Sequence, residues 1–338
     1  MPSSLFGKTL PELSETVNGL SLPTFSAQQI AHWLYVKNVS SIEEMTDISV
    51  KNRVLLSENY IIGISKPLKE QTSGDGSKKY LFPVSNGKCV ETAYIPDRDR
   101  ATLCVSSQVG CRMGCAFCMT ARQGMQGNLT ATDILNQFRS LPEHDQLSNI
   151  VFMGMGEPFD NMDEVMKSLE ILTANYGYAW APKRITVSTI GILPAVRRFM
   201  DQSRCHLAVS LHHPDPEERR KLMPVENKYP IRQVIELLKT YDLNKQRRIS
   251  FEYIMIAGVN DSLKQANDTI RLLSGLRCRV NLIRFHAISG SLFQPSSDQT
   301  IRQFADLLQQ KGLIATIRQS RGMDIDAACG MLSTNYIT

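Results

Sequence analysis

From Ala101 onward the chain alternates between two hydrophobic periods. Apolar runs suited to strands fit 101–105, 149–153, 184–188, 206–210, 249–256 and 280–286. Between them, stretches such as 132–141, 162–174, 231–241 and 263–273 repeat apolar residues at helical spacing. Regular alternation of this kind predicts parallel strands joined by crossover helices. Six such units fall short of the eight that close a full barrel, so the expected fold is α/β, a partial (β/α)6 barrel. In parallel barrels the chemistry gathers at the C-terminal ends of the strands. The loops after each strand are therefore where functional residues are expected.

The loop after the first strand holds Cys111, Cys115 and Cys118, three thiols at C-x3-C-x2-C spacing. Thiolates hold iron–sulfur clusters, normally four at a time. Three leave one iron of a [4Fe–4S] cluster open to an outside ligand. Gly110 and Gly114 help such a loop curl its sulfurs inward, because glycine tolerates backbone conformations that other residues resist. A zinc site, or three unrelated buried cysteines, are the alternatives. Structural zinc usually takes four ligands in two paired motifs, and no second half is evident. The spacing, with Phe117 just before the third cysteine, resembles the radical S-adenosylmethionine (SAM) superfamily. In that superfamily the methionine end of SAM chelates the open iron. Reduction through the cluster then cleaves SAM to a 5′-deoxyadenosyl radical.

Other strand ends carry polar motifs. Gly154, Gly156 and Glu157 follow the second strand, where glycines allow close backbone approach and Glu157 offers an acceptor for an ammonium group. A tight turn with a helix-starting acid reads the same way. Ser188 ends the third strand, and Ser210, Leu211 and His212 end the fourth. Hydroxyl and imidazole groups there suit the ribose and carboxylate of a nucleoside-like cofactor; ordinary turn serines and a structural histidine are the alternative. Cys329, beside Gly330 near the C-terminus, is either a structural thiol on a turn or a mobile reactive one. Cys104, on the first strand, is the second candidate thiol. Cys89, Cys205 and Cys278 sit in apolar surroundings and read as bystanders.

The 338 residues can bury a sizeable core, and no apolar run approaches the roughly 18 residues of a membrane span. Residues 1–16 lack the pattern of a secretory signal, so a cytoplasmic protein without membrane partners is expected. Eight cysteines in that compartment point to metal or redox chemistry. The net charge of +5 is mild, but basic residues cluster. The clusters are Lys78-Lys79, Lys183-Arg184, Arg197-Arg198, Arg219-Arg220-Lys221, Lys245 with Arg247-Arg248, and Arg318 with Arg321. Such clusters suit a phosphate backbone, or simply a solvated helix face. Residues 1–63 read as a small helical domain, with capping-box patterns at Ser26 to Gln29 and Ser41 to Glu44 and a third helix from Val50. Residues 64–98 read as a β extension, with turns at 73–76 and 86–87, and residues 99–338 as the catalytic core.

Taken together, these motifs resemble the RlmN/Cfr family of radical SAM RNA methyltransferases, from about Lys88 to Gly330. The resemblance implies that Cys111, Cys115 and Cys118 hold the [4Fe–4S] cluster. It implies that Gly156, Glu157, Ser188, Ser210, Leu211 and His212 bind SAM. By the same likeness Cys329 is the methylated cysteine, Cys104 its disulfide partner and Glu91 the proton acceptor. The stretch 102–111 is more similar to RlmN than to Cfr. His286 stands where the family pattern carries Asn among its SAM contacts, and an imidazole can still donate or accept.

The resemblance further implies methylation of C2 of an adenine in the peptidyl-transferase region of 23S rRNA, with two SAM molecules per turnover. In some lineages the adenine 3′ of the anticodon in certain tRNAs is also a substrate. A flavodoxin or ferredoxin would supply electrons. The competing readings are Cfr-like C8 methylation, a non-RNA radical SAM enzyme such as a glycyl-radical activase, a ferredoxin-like electron carrier, and a zinc-bearing RNA-binding module.

Overall fold

The computed structural model describes residues 3–243, 248–288 and 290–332. Lys245 and Arg247 of one basic cluster lie outside these residues. A ten-stranded mixed sheet organises the chain. In chain order its strands are β1 (Lys69–Thr72), β2 (Lys78–Pro83), β3 (Cys89–Asp97), β4 (Arg100–Cys104), β5 (Asn149–Phe152), β6 (Ile185–Thr189), β7 (His206–Ser210), β8 (Ile249–Met255), β9 (Arg279–Arg284) and β10 (Ile314–Ile317). They lie side by side in that same order. From β4 to β10 every neighbour is parallel. From β1 to β4 every neighbour is antiparallel.

The alternating units of the sequence are therefore parallel strands with crossovers, as the periodicity predicts. The count differs by one. β10 adds a seventh parallel strand that its short, half-exposed IATI sequence did not announce. Among the described residues the sheet stays open, with β1 at one edge and β10 at the other. The β extension likewise holds one strand more than its turn signals marked, since Lys69–Thr72 pairs with β2.

Side chains alternate across the parallel strands. Val187, Val209, Phe251 and Leu282 join the core shared with the crossover helices. Their neighbours Ser188, Ser210, Glu252 and Ile283 line a cavity on the opposite, concave face. This alternation delivers polar groups to a single inner surface while the outer surface stays apolar.

The N-terminal helices are α1 (Leu10–Gly19), α2 (Ser26–Tyr35) and α3 (Val50–Asn59). Their residues Leu13, Val17, Ile30 and Leu34 belong to the same core as the sheet residues Leu103 and Ile150. The sequence pattern did not mark α1, although its Thr9–Glu12 capping box is formed, with Thr9 N–H donating to Glu12 at 2.7 Å. Ser26 is not a cap: it is the first residue of α2, behind Phe25, and makes no capping bond. The Ser41–Glu44 box forms, but it starts only a single 3-10 turn, Ile42–Glu44.

Candidate active site

Three elements converge on the concave face. The first is the loop between β4 and the short helix Met119–Gln123. Gly110 takes φ +72°, and a Cβ there would stand 1.7 Å from the Gly124 carbonyl oxygen, so only glycine fits. Arg112 anchors the loop to Asp160 at 2.8 Å, and Ala116 N–H donates to the Leu222 carbonyl at 2.9 Å. Held this way, Cys111, Cys115 and Cys118 all line one cavity. Among the described residues no three or more His, Cys, Asp or Glu side chains gather tightly enough for a single metal ion. The thiols instead stand around a shared space. Three thiols around one cavity are a donor set that would hold an iron–sulfur cluster with one iron left open.

The second element is the turn after β5. Gly156 has φ +97°, and a Cβ there would meet Gln108 Cβ at 2.5 Å. Glu157 is buried. Its carboxylate accepts from Thr189 Oγ1 at 2.6 Å and from the backbone N–H groups of Ile190 at 3.0 Å and Phe159 at 3.1 Å. Burial nevertheless pushes its pKa up to about 7, against those three hydrogen bonds. A buried carboxylate facing a cavity gains from a cationic ligand.

The third element joins the ends of β6 and β7. Ser188, Ser210 and His212 line the cavity beside the thiols. His212 sits at φ +57°, accepts from Ile254 N–H at 3.0 Å through Nδ1, and packs edge-on against Phe117 at 4.7 Å. Burial, with help from Arg219, brings its pKa down to about 3, so it is neutral. Arg219 is completely buried. Its guanidinium pairs with Glu226 and donates to the carbonyls of Ile190 at 3.0 Å, Ser210 at 2.8 Å and Leu211 at 3.0 Å. One side chain thus fixes the whole β6–β7 rim.

The C-terminal segment closes the cavity. Cys329 and Gly330 line it, and the Gly330 carbonyl accepts from Met119 N–H at 2.8 Å, just past Cys118. Thr120 Oγ1 holds the Leu332 carbonyl at 2.7 Å. On the other side, Asp324 accepts from Ser73 Oγ at 2.5 Å and Gly74 N–H at 3.1 Å, while Asp75 accepts from Gly322 N–H at 3.0 Å. These two aspartates clasp the β1–β2 turn to the stem of the Cys329 loop. Cys329 itself is accessible and lines the cavity, and desolvation by its surroundings raises its pKa. Cys104 lies behind, packed with Ala93 and Ala327, close enough for its charge and that of Cys329 to interact. Both thiols are free.

Comparison with known proteins agrees with this geometry. The radical SAM superfamily matches residues 105–273, and the ribosomal RNA large subunit methyltransferase N-terminal domain matches residues 3–62. A Bacteroides fragilis protein named probable dual-specificity RNA methyltransferase RlmN is 57% identical over 98% of this chain and 96% of its own length. The chain belongs to the RlmN family. A Syntrophobacter fumaroxidans protein named dual-specificity RNA methyltransferase RlmN is 41% identical over 97% of both chains. The crystal structure of a radical SAM methyltransferase from Sphaerobacter thermophilus superposes with a TM-score of 0.92 at 38% identity, covering 99% of this chain and 100% of the other. Membership in the radical SAM superfamily implies a [4Fe–4S] cluster and SAM as cofactors.

The cavity gathers most of the residues that the RlmN resemblance nominates: Cys111, Cys115, Cys118, Gly156, Glu157, Ser188, Ser210, His212 and Cys329. Leu211 is buried behind it and contributes through its backbone. Three more nominated residues, Cys104, Glu91 and His286, do not line the cavity, and Cys104 is packed with Ala93 and Ala327. Glu91 lines a different, small pocket of the β extension and is ion-paired with Lys79 at 3.0 Å. His286 follows the end of β9 and lines a separate surface depression with Arg284 and Asp298, so the structure does not bring it to the other SAM-site residues.

Two basic clusters also change meaning within this RlmN fold. Lys79 is buried against Glu91, and Arg219 against Glu226, so neither offers a phosphate contact. Arg197, Arg198, Lys183 and Arg184 are exposed. Three features had no clear mark in the sequence pattern: the Arg219 brace, the Asp75–Asp324 clasp and Glu252, a carboxylate on the cavity wall. A charged residue in the apolar run 249–255 was the signal for the last.

Proposed function

We propose that this protein methylates C2 of one adenine in the peptidyl-transferase region of 23S rRNA, and the adenine 3′ of the anticodon in some tRNAs, through a methylated Cys329. The observation that carries this reading is the shared cavity of Cys329 and the three loop thiols, with Cys104 close enough for its charge and that of Cys329 to interact. The name dual-specificity RNA methyltransferase, borne by relatives over nearly their full length, supports two classes of RNA substrate.

Cys111, Cys115 and Cys118 hold the cluster, which when bound supplies the electron that splits SAM homolytically. Glu157 takes the α-ammonium group of SAM, Ser188, Ser210 and His212 take its remaining polar groups, and Leu211 shapes the rim through its backbone bonds to Arg219 and Glu252. Cys329 receives a methyl cation as a thiolate, from the first of two SAM molecules. Loss of a hydrogen atom from that methyl group to the 5′-deoxyadenosyl fragment of the second SAM would let its carbon add to the electron-poor adenine C2. Glu91 removes the ring proton, and its ion pair with Lys79 holds the carboxylate in place. Once the ring proton is removed and one electron has been given up to an acceptor such as the cluster, the Cys104 thiolate would attack the Cys329 sulfur, forming a disulfide and leaving the electron pair of the broken C–S bond on the carbon, which takes a proton to become the methyl group of the base; an external dithiol then reduces the disulfide. A flavodoxin or ferredoxin donates electrons in the cytoplasm.

The helical unit 1–63 and the extension 64–98 act as RNA-docking parts beside the core 99–338, together with the exposed pairs Lys183-Arg184 and Arg197-Arg198. Mass spectrometry of adenosine from RNA treated with anaerobic, cluster-loaded protein tests the reaction. The proposal expects 2-methyladenosine from the wild type and none from Cys329→Ala. Product from Cys329→Ala at the wild-type rate refutes the cysteine route.

A further inference from the structure

Glu252 lines the cavity on the concave face, and only one oxygen of its carboxylate is used. It lies in register with Ser210 on β7 and Asn281 on β9. The residue is 3% exposed. Ser250 Oγ donates to Oε1 at 3.0 Å and Asn281 Nδ2 donates to the same oxygen at 2.7 Å. Oε2 is buried and has no hydrogen-bond partner among the described residues. Buried polar atoms are nearly always paired, so an orphan acceptor on a cavity wall marks where a ligand donor belongs.

The surroundings narrow the ligand. Ile254 and Ile283, each two residues along its strand from the Glu252–Asn281 row, line the same cavity. They offer an apolar surface for a flat ring, with the free acceptor at its edge. Cys329 lines the cavity too, and its thiol feels the charge of Glu252. An extruded nucleobase is read in this way, by edge hydrogen bonds and apolar contacts to its faces. A lone acceptor selects an exocyclic amine, which adenine has, and opposes a 6-oxo group, which guanine and hypoxanthine carry.

We propose that Glu252 Oε2 accepts the exocyclic amine of the target adenine and so selects the base presented to Cys329. The proposal rests on the reading of this protein as an RNA adenine methyltransferase. SAM also carries an adenine amine, so the test separates the two sources.

The test uses full-length, cluster-loaded protein and RNA hairpins with adenine, purine or hypoxanthine at the target position. RNA affinity, methyl transfer and SAM affinity are measured. Glu252→Ala is expected to lower kcat/KM on the adenine RNA at least tenfold. Removing the amine from the RNA lowers the wild type by a similar factor, and Glu252→Ala then adds less than a twofold loss on the purine RNA. SAM affinity stays within twofold. Equal losses from Glu252→Ala on both RNAs overturn the proposal. So does a tenfold fall in SAM affinity, which assigns the carboxylate to the cofactor.

Glu252→Gln provides a near-isosteric second variant. Because Ser250 and Asn281 both donate to Oε1, the amide oxygen takes that place and the amide N–H faces the cavity. RNA binding should then shift at least tenfold toward hypoxanthine relative to adenine, and an unchanged ratio overturns the proposal. A wild type that methylates no adenine RNA fails the functional reading itself. A wild type that does so, with additive losses, fails only the role of Glu252.

Discussion

Arg219 is the side chain whose removal should be felt most widely. Arg219→Met keeps much of the side-chain volume and deletes the guanidinium. It leaves the buried Glu226 carboxylate without its cation and three rim carbonyls, those of Ile190, Ser210 and Leu211, without their donor. Breaking a fully buried ion pair on one side costs about 3–5 kcal/mol. Unfolding entropy of roughly 2.1 cal/mol/K per residue amounts to about 0.7 kcal/mol/K for this chain, so the melting temperature should fall by about 4–7 °C. Glu226 still accepts from Ile231 N–H at 3.0 Å, which keeps the loss toward the lower end. Differential scanning calorimetry of the metal-free protein measures it. The double variant Arg219→Met/Glu226→Leu should recover part of the loss, because no orphan charge remains. SAM affinity should fall in both, since the Ser210 and Leu211 carbonyls are released in each. A single variant melting within about 1 °C of the wild type would refute the claim that this buried pair braces the rim.

Other outcomes rest on the same geometry. Gly156→Ala should lose SAM binding by equilibrium dialysis, since its Cβ would collide with Gln108 in a positive-φ turn. Cys104→Ala should accumulate an RNA–protein adduct visible on a denaturing gel, because nothing then cleaves the bond between Cys329 and the base; free methylated RNA at the wild-type rate would contradict that role. The Asp75–Asp324 clasp should open in acid. Partial burial alone would raise the pKa of Asp75, but the Ser77 and Gly322 N–H groups outweigh it and bring the carboxyl from an ordinary 3.8 down to about 2. Its stabilising contribution is therefore intact above about pH 4 and is lost as the pH falls towards 2. The protection factor of the Gly322 amide, taken against its intrinsic exchange rate at each pH, should fall as the pH drops across that window, and Asp75→Asn should remove most of that pH dependence.

The fold was legible because local periodicity and burial agree. Leu263–Leu273 forms the helix over the residues its apolar spacing marks, and the strands at 149–153 and 206–210 lie within one residue of their apolar runs. β10 was hidden because an edge strand of four half-exposed residues lacks a strong period. Ser26 misled because a capping pattern says nothing about where the preceding backbone already turns helical. The loop thiols were marked by their C-x3-C-x2-C spacing, whereas Cys329 was nominated only through the family resemblance; the fold brings all four to one cavity. Arg219 was not: in the run Arg219-Arg220-Lys221 one residue points inward and its neighbours outward, and only the tertiary ring of carbonyls makes that burial tolerable. The clasp was unreadable for a related reason, since it joins residues about 250 positions apart.

The central claim is that the cell loses one particular methyl group without this protein. Mass spectrometry of nucleosides from purified 23S rRNA and tRNA, from a strain lacking the gene and from one complemented with it, measures this directly. The expected result is that 2-methyladenosine disappears from the 23S rRNA and returns on complementation with the wild type, though not with Cys329→Ala. Unchanged 2-methyladenosine, or loss of 8-methyladenosine instead, would contradict it.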